Sequence, residues 1–172
     1  DEIEGQGMNA ICVFSNGMPI EEMGMPSLTK VFDWYFCKDG VPAIDALINI
    51  MKFSLSSSGN ISIDYFKKWN VPILAGYTIM TDYDEWKESF EGMNPMEVSI
   101  AISLPEFDGT IHGVPVAYKK VLENGDVNYL PIPERVHRMV NKARKWARLR
   151  RKTNSDKKIA IIFHNYPPRN SN

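Results

Sequence analysis

The chain has 172 residues, of which 44% are hydrophobic and 11% aromatic, so it is long enough for one domain with its own core. Its longest apolar runs, such as Ile159–Phe163, are far shorter than the roughly 20 residues of a membrane-spanning helix, and no membrane span is expected. The net charge is −1, but positions 133–158 hold eleven basic and two acidic residues, and the remainder nine basic and nineteen acidic ones. Because nucleic-acid-binding domains are usually basic overall, nucleic acid is not an expected partner.

Two further features concern the setting of the protein. The sequence begins at Asp1 rather than at a methionine and stops soon after a strand-like run, so we expect both ends to be cuts through a longer polypeptide. The two cysteines, Cys12 and Cys37, have neither a metal-binding nor a redox spacing. That usage favours a reducing compartment, and we expect a cytoplasmic protein.

The first half of the chain alternates between strand and helix patterns. Asn9–Ser15 is a short apolar run before a turn signal, which predicts a buried strand with Cys12 inside it. After Ser27, a typical N-cap residue, apolar side chains recur at helical spacing as far as Tyr35. The remaining expectations are a strand within 43–53, a Ser/Gly-rich loop at 55–60, a short helix at 62–69 and a strand at 71–77.

The second half contains the strongest helix signals. Asn94, Pro95 and Glu97 form an N-cap, N1 and N3 combination that marks a helix start, and Pro105 is expected to end that helix. Pro133 opens the longest predicted helix, which is basic and runs over 133–151. The other predicted elements are a short helix capped by Thr81 or Asp82 that carries Trp86 and Phe90, a strand at 114–122, a hairpin turn at 123–126 and a last strand at 159–163.

This order of elements predicts the fold class. Strands that alternate with helices are typical of a parallel sheet covered by helices. We therefore expect a single α/β domain over 1–172. Its mostly parallel sheet should have about five strands with helices on both faces, in a flavodoxin-like or Rossmann-like layering.

Two carboxylates occur in the turn LPEFDG at 104–109, directly after the helix that starts at Asn94. A carboxylate such as Glu106 or Asp108 can accept a proton from a substrate or hold a divalent metal ion through oxygen. The alternative is a helix-terminating turn in which Asp108 makes backbone contacts and Glu106 is solvated.

A second candidate segment is HNYPPRN at 164–170, directly after the last predicted strand. Ligands of parallel α/β sheets gather beyond the carboxyl ends of strands, so this loop is a typical place for a site. His164 could ligate a metal ion, and Arg169 could bind a substrate carboxylate. The alternative is a rigid exit from the strand in which His164 and Tyr166 bond to the backbone.

The basic helix at 133–151 also has two interpretations. It could bind an acidic partner or a polycarboxylate ligand, or it could be the solvated outer face of an amphipathic helix whose cations suit its C-terminal end. The sequence contains no GxxxxGK[ST] loop, so the chain is not expected to bind ATP in that way.

Three ordered stretches together resemble the large subunit of cobaltochelatase (the CobN type) and the H subunit of magnesium chelatase. They are GMNPMEVSIAISLPEFDG at 92–109, PIPERVHRMVNKARKWARLRRK at 131–152 and KIAIIFHNYPPRN at 158–170. The family has a further strand and helix upstream of Asn9 that this chain lacks, so the predicted sheet can be incomplete.

The resemblance implies a role in metal insertion. In this family the large subunit binds the tetrapyrrole and the metal ion, and separate AAA-type and integrin-like subunits use the ATP. The HNYPPRN segment is similar to the cobalt branch, which implies Co²⁺ rather than Mg²⁺ as the substrate ion. On this basis Glu106 and Asp108 are the expected catalytic carboxylates, His164 is the expected metal ligand, and the expected substrate contacts are Asn165, Tyr166 and Arg169.

Two other interpretations of the whole chain remain. It could be a non-catalytic structural or docking domain of the same large subunit, with the basic helix facing an acidic partner. It could also be a stand-alone flavodoxin-like binding protein, for which only the loops at 15–17 and 55–59 offer a candidate phosphate site.

Overall fold

The computed structural model describes residues 2–15, 19–59 and 61–163. Its helices are α1 (Glu2–Gly5), α2 (Leu28–Phe36), α3 (Leu55–Gly59), α4 (Ile63–Trp69), α5 (Tyr83–Glu88), α6 (Pro95–Val98), α7 (Leu104–Glu106) and α8 (Pro133–Arg151). Its strands are β1 (Cys37–Lys38), β2 (Val41–Pro42), β3 (Leu47–Asn49), β4 (Ile73–Ile79), β5 (Ile111–Val121) and β6 (Val127–Pro131). No helix among the described residues is both long enough and apolar enough to cross a membrane.

The main sheet has four strands in the order β3-β4-β5-β6. β3 and β4 are parallel, β4 and β5 are parallel, and β6 runs antiparallel to β5. The predicted turn at 123–126 explains the reversal, because Gly125 adopts a positive φ of 85° and Leu122 N–H donates to the carbonyl of Asp126 at 2.8 Å. The α/β prediction is therefore confirmed in its coarse form, but the sheet is mixed and has four strands rather than about five.

Two predicted strands are wrong. Asn9–Ser15 and Ile159–Phe163 carry no regular structure, and Cys12, expected inside a buried strand, is exposed. A short apolar run becomes a strand only when a neighbouring strand supplies its hydrogen bonds, and neither run pairs with a strand in the described structure. The side chains of Ile159, Ile162 and Phe163 are instead 83%, 91% and 90% exposed.

One segment predicted as a loop contains regular structure, since the 55–60 loop begins with the one-and-a-half-turn helix α3. A separate two-stranded hairpin of β1 and β2 follows α2. Asp39 and Gly40 join its strands and have positive φ values of 53° and 74°. Such a pair of left-handed residues is the usual requirement of a two-residue hairpin turn.

Different helices cover the two faces of the main sheet. Ile73 and Leu74 are neighbours in β4 and point to opposite faces, because side chains alternate along a strand. Ile73 packs in a cluster to which α2, α3 and α4 contribute, whereas Leu74 packs with Met139 and Ala143 of α8. The stacked rings of Phe32 and Trp69, with centroids 5.1 Å apart, join α2 to α4 on the first face.

The helical stretch from Pro95 to Glu106 leads into the LPEFDG turn. Its start is the predicted capping box, in which Asn94 and Glu97 bond to each other's backbone N–H groups. Pro105 does not end the helix as predicted. A π-helical segment, Ser99–Ser103, precedes α7, and Leu104 N–H donates to the carbonyl of Ser99, five residues back. The wider π turn accommodates a proline, which lacks an N–H and would clash inside a regular α-helix.

Candidate functional site

An open cleft of 720 Å³ lies beside the amino-terminal ends of β4 and β5. Its walls come from α4, from the turn at 106–109 and from the last two turns of α8. Most of the lining is apolar or aromatic, and the charged lining residues are Lys67, Glu106, Asp108, Arg150 and Lys157. Both acidic residues of the LPEFDG turn therefore belong to the lining of this one cleft.

Asp108 is the buried carboxylate of the pair. Its side chain is only 4% exposed, and its carboxylate accepts hydrogen bonds from the Leu55 N–H and from Ser54 and Ser56. Ser54 Oγ donates to Oδ1 at 2.9 Å, and Ser56 donates through both its N–H and its Oγ. These donors belong to the first turn of α3, so the Asp108 carboxylate caps that helix from 52 to 54 residues away in sequence.

Glu106 is the free carboxylate of the pair. Its side chain is exposed, lines the cleft and makes no hydrogen bond or ion pair with any described residue. The backbone of the turn fixes its position, because Asp108 N–H donates to the Pro105 carbonyl at 3.0 Å and Gly109 N–H donates to the Glu106 carbonyl at 2.9 Å. Gly109 adopts a positive φ of 78°, which favours glycine at the end of the turn.

The cations of the cleft have different environments. Lys67 forms an exposed ion pair with Asp64 at 3.2 Å. Arg150 donates from Nη1 to the carbonyl of Ile44 at 2.9 Å, and Lys157 donates to the Asn154 side chain at 2.9 Å. Neither Arg150 nor Lys157 forms an ion pair with a carboxylate in the described part of the chain.

The opposite, carboxyl-terminal edge of the sheet holds a second group of polar side chains. Burial lowers the pKa of Lys52, three residues beyond β3, and raises the pKa of Tyr77 in β4. Glu97 lies near both, but its carboxylate accepts from Met80 N–H at 3.2 Å and from the Asn94 side chain at 2.9 Å. Glu97 therefore holds the start of α6 against the end of β4.

The second predicted site segment cannot be compared with the cleft. His164, Asn165, Tyr166 and Arg169 lie outside the described residues. They do not follow the carboxyl end of a strand, because Ile159–Phe163 is not a strand. Within the described ranges no group of three or more His, Cys, Asp or Glu side chains could hold a metal ion.

Several residues of this region were not predicted. Ser56 was assigned to a loop, Ser54 was assigned no role, and Arg150 and Trp146 were assigned only to a basic or apolar face of α8. Ser54 stands directly before the apolar Leu55, and a serine in that position is a common helix N-cap signal. The contacts of Ser54 and Arg150 join residues that are 54 and 106 positions apart, which no local pattern indicates.

Comparison with known proteins identifies a family and several relatives of this chain. The sequence matches the profile of the family described as CobN/Magnesium Chelatase over residues 1–172. An uncharacterized protein of Methanocaldococcus jannaschii is 39% identical, with 99% of this chain and 14% of that protein aligned. The H subunit of the magnesium chelatase of Chlorobaculum parvum is 29% identical, with 89% of this chain and 12% of that protein aligned.

A solved structure is similar as well. The catalytic subunit of cobaltochelatase from Mycobacterium tuberculosis matches with a TM-score of 0.52 and 31% identity over 59% of this chain and 8% of that one. The chain thus spans 14% and 12% of the lengths of the two relatives named above. The family match over the entire sequence leads to one conclusion: this chain belongs to the CobN/magnesium chelatase family.

Proposed function

We propose that the chain is one domain of a chelatase large subunit and that its cleft presents Glu106 to a tetrapyrrole and a divalent metal ion. One observation carries this proposal. Glu106 is an exposed carboxylate with no hydrogen-bond or ion-pair partner among the described residues, and it lines a largely apolar cleft of 720 Å³. The Asp108 carboxylate, which accepts from residues 54–56, holds the same turn in place. An uncommitted charged group on a fixed turn is suited to chemistry.

The lining of the cleft is compatible with the ligand. Phe107 and the half-buried Trp146 contribute aromatic surface, and such rings pack well against a flat conjugated macrocycle. The volume lies within the usual range of about 300–1,000 Å³ for small-molecule sites. In this arrangement Glu106 accepts a pyrrole proton or contacts the incoming ion, and Asp108 positions Glu106 without touching the substrate.

The substrate ion and the partners are part of the same proposal. We assign Co²⁺ rather than Mg²⁺ as the substrate ion, on the resemblance of the 164–170 segment to the cobalt branch. The roles of His164 as metal ligand and of Asn165, Tyr166 and Arg169 as substrate contacts stay predictions. ATP is used by separate AAA-type and integrin-like subunits, in keeping with a sequence that has no GxxxxGK[ST] loop.

Replacement of Glu106 tests the proposal. In the complete subunit, assembled with its partner subunits, Glu106→Gln should slow metal insertion by about 10²- to 10⁴-fold, the usual loss for an acid–base group. Binding of the metal-free tetrapyrrole, followed by its absorbance, should be unchanged. Glu123→Gln, the same change at an exposed residue of the β5–β6 turn, is the matched control and should insert at the parent rate.

Normal insertion by Glu106→Gln would remove this residue from the mechanism. An insertion defect in Glu123→Gln of similar size would show that the assay reports a general loss of charge. Comparing Co²⁺ with Mg²⁺ as the added ion in the parent protein tests the choice of metal, which fails if only Mg²⁺ is inserted.

A second candidate function is that of a docking domain within the same large subunit. The observation that favours it is the run Ile159–Phe163, whose apolar side chains are largely exposed in this chain. Under this alternative Glu106→Gln leaves insertion intact, and Ile162→Asp lowers the yield of assembled subunit. The two candidate functions therefore predict opposite results for insertion by Glu106→Gln.

A further inference from the structure

We propose that Arg150 and Lys157 form a carboxylate-binding subsite at one side of the cleft, which selects ligands that carry free carboxylate side chains. This inference rests on the proposed function, since it concerns the same cleft, and it adds a residue-level basis for substrate selection. It concerns ligand binding, whereas the role of Glu106 concerns the insertion step.

Arg150 is anchored at the C-terminal end of α8. Its Nη1 donates to the Ile44 carbonyl at 2.9 Å, and the next residue, Arg151, forms a two-pronged ion pair with Asp45 in which Nε donates to Oδ1 at 3.1 Å. These contacts hold the last turn of α8 against residues 44–45. A guanidinium has five N–H donors, and only one of those of Arg150 has a partner in the described part of the chain.

Some of the charged side chains that line the cleft have partners and others have none among the described residues. Asp108 is saturated by the first turn of α3, and Lys67 is paired with Asp64. What remains is one free carboxylate, Glu106, and two cations without a carboxylate partner among the described residues, Arg150 and Lys157. The cleft therefore has capacity for an additional negative charge supplied by a ligand.

Apolar side chains lie next to Arg150 in the lining of the cleft. Trp146 and Leu149 of α8 line the cleft next to Arg150, and Phe107 lines it beside Glu106. Apolar walls lower the effective dielectric constant and strengthen an ion pair relative to the same pair in open water. A ligand with a flat apolar body and carboxylate arms satisfies both parts of this lining, and a planar guanidinium can bind a carboxylate through two parallel hydrogen bonds.

The position of Arg150 also has a purely structural explanation. Cations near the C-terminal end of a helix are favoured by the helix dipole whether or not they bind a ligand. Arg148 provides the comparison, because it is an exposed arginine in the same turn of α8 and does not line the cleft. A dipole effect makes Arg148 and Arg150 equivalent, whereas a subsite makes them different.

The test measures binding in the complete subunit with two matched probes, a metal-free porphyrin with two propionate side chains and its bis-amide. The parent should bind the acid about tenfold more tightly than the amide, the value of one charge-assisted hydrogen bond at a partly exposed site. Arg150→Gln should lose most of that preference by weakening acid binding alone. Arg150→Lys, which keeps the charge, should retain part of it, and Arg148→Gln should retain all of it.

Several outcomes overturn the subsite. They are equal affinity of the parent for the two probes, absence of binding of both, or an equal loss in Arg148→Gln and Arg150→Gln. A fall in the affinity for the amide in Arg150→Gln would also overturn it, since that pattern indicates a damaged fold. Glu106→Gln separates the two proposals: it should keep the acid preference, so normal insertion by that variant refutes the proposed function while the subsite stands.

Discussion

The two sides of the LPEFDG turn have opposite character. On the buried side, Asp108 is 4% exposed and its carboxylate accepts from Ser54, Leu55 and Ser56. On the open side, Glu106 faces the cleft and makes no hydrogen bond or ion pair with the described residues. Two carboxylates that stand two positions apart in sequence thus have different surroundings.

The comparison shows that a short turn can bury one carboxylate in a structural contact and leave its neighbour exposed to a cleft. The buried carboxylate joins the turn to α3 and satisfies N–H groups that a helix start leaves without intrahelical partners. Its hydrogen bonds are fully used, so it has little capacity left for a substrate. The exposed carboxylate has no such contact among the described residues, although the turn that carries it is held in place. A role toward a ligand would explain this arrangement.

The largest effect on stability is expected for Asp108→Ala. The change removes a charged acceptor and leaves the Leu55 N–H and the Ser54 hydroxyl without their partner in a buried place. We expect a loss of about 2–4 kcal/mol in the free energy of local unfolding of α3. Hydrogen exchange at the amides of residues 55 and 56 measures it, and Asp84→Ala, an exposed carboxylate in α5, is the control.

A smaller loss is expected for Ser54→Ala. Ser54 is 2% exposed, donates to Asp108 Oδ1 at 2.9 Å and accepts from the Ser57 N–H at 3.1 Å. Removing this hydroxyl should cost about 1–2 kcal/mol, measured by the same exchange experiment. Ser57→Ala, an exposed serine of the same helix, should cost less than about 0.5 kcal/mol. Equal losses in the two variants would show that the Asp108 contact contributes nothing.

Elements with their own local signals could be predicted from the sequence. The helix at 133–151 was placed with both ends correct, and Ser27 and the Asn94 capping box were identified as helix starts. Of the two residues predicted to cap the next short helix, Thr81 or Asp82, the structure has Asp82. A cap or a helical apolar stripe depends on residues three or four positions apart. Strands depend on distant neighbours, and the two runs that were wrongly predicted as strands, at 9–15 and 159–163, have no strand beside them in the described structure.

The candidate site was predictable only in part. The motif pointed to Glu106 and Asp108, whose catalytic roles stay predictions, but it did not indicate that one side chain is buried and the other exposed. Whether a carboxylate is buried depends on which segment packs on it, and the segment that packs on Asp108 lies 52 to 54 positions earlier in the chain. The alternative interpretation of the turn, with Asp108 bonded to backbone and Glu106 solvated, describes the observed contacts of both residues.

A still smaller effect on stability is expected for Phe107→Ala, which tests the open side. The Phe107 ring lines the cleft and is 72% exposed, so its removal should cost less than about 1 kcal/mol. Binding of a metal-free porphyrin should nevertheless weaken severalfold, because the ring supplies apolar contact area. Phe90→Ala removes a fully exposed ring away from the cleft and should change neither quantity. A strong loss of stability in Phe107→Ala would mean that the open side is packed.

The smallest effect is expected for Glu106→Ala, which should change the stability of the domain by no more than about 0.5 kcal/mol. The contrast is Glu97→Ala, since Glu97 accepts from Met80 N–H at 3.2 Å and from Asn94 Nδ2 at 2.9 Å, and its loss should cost about 1 kcal/mol. Thermal unfolding of the two variants provides the measurement. If Glu106→Ala is as unstable as Glu97→Ala, then Glu106 has a structural partner and the two sides of the turn do not differ. If it is as stable as the parent, any defect in metal insertion belongs to the carboxylate itself rather than to the fold that carries it.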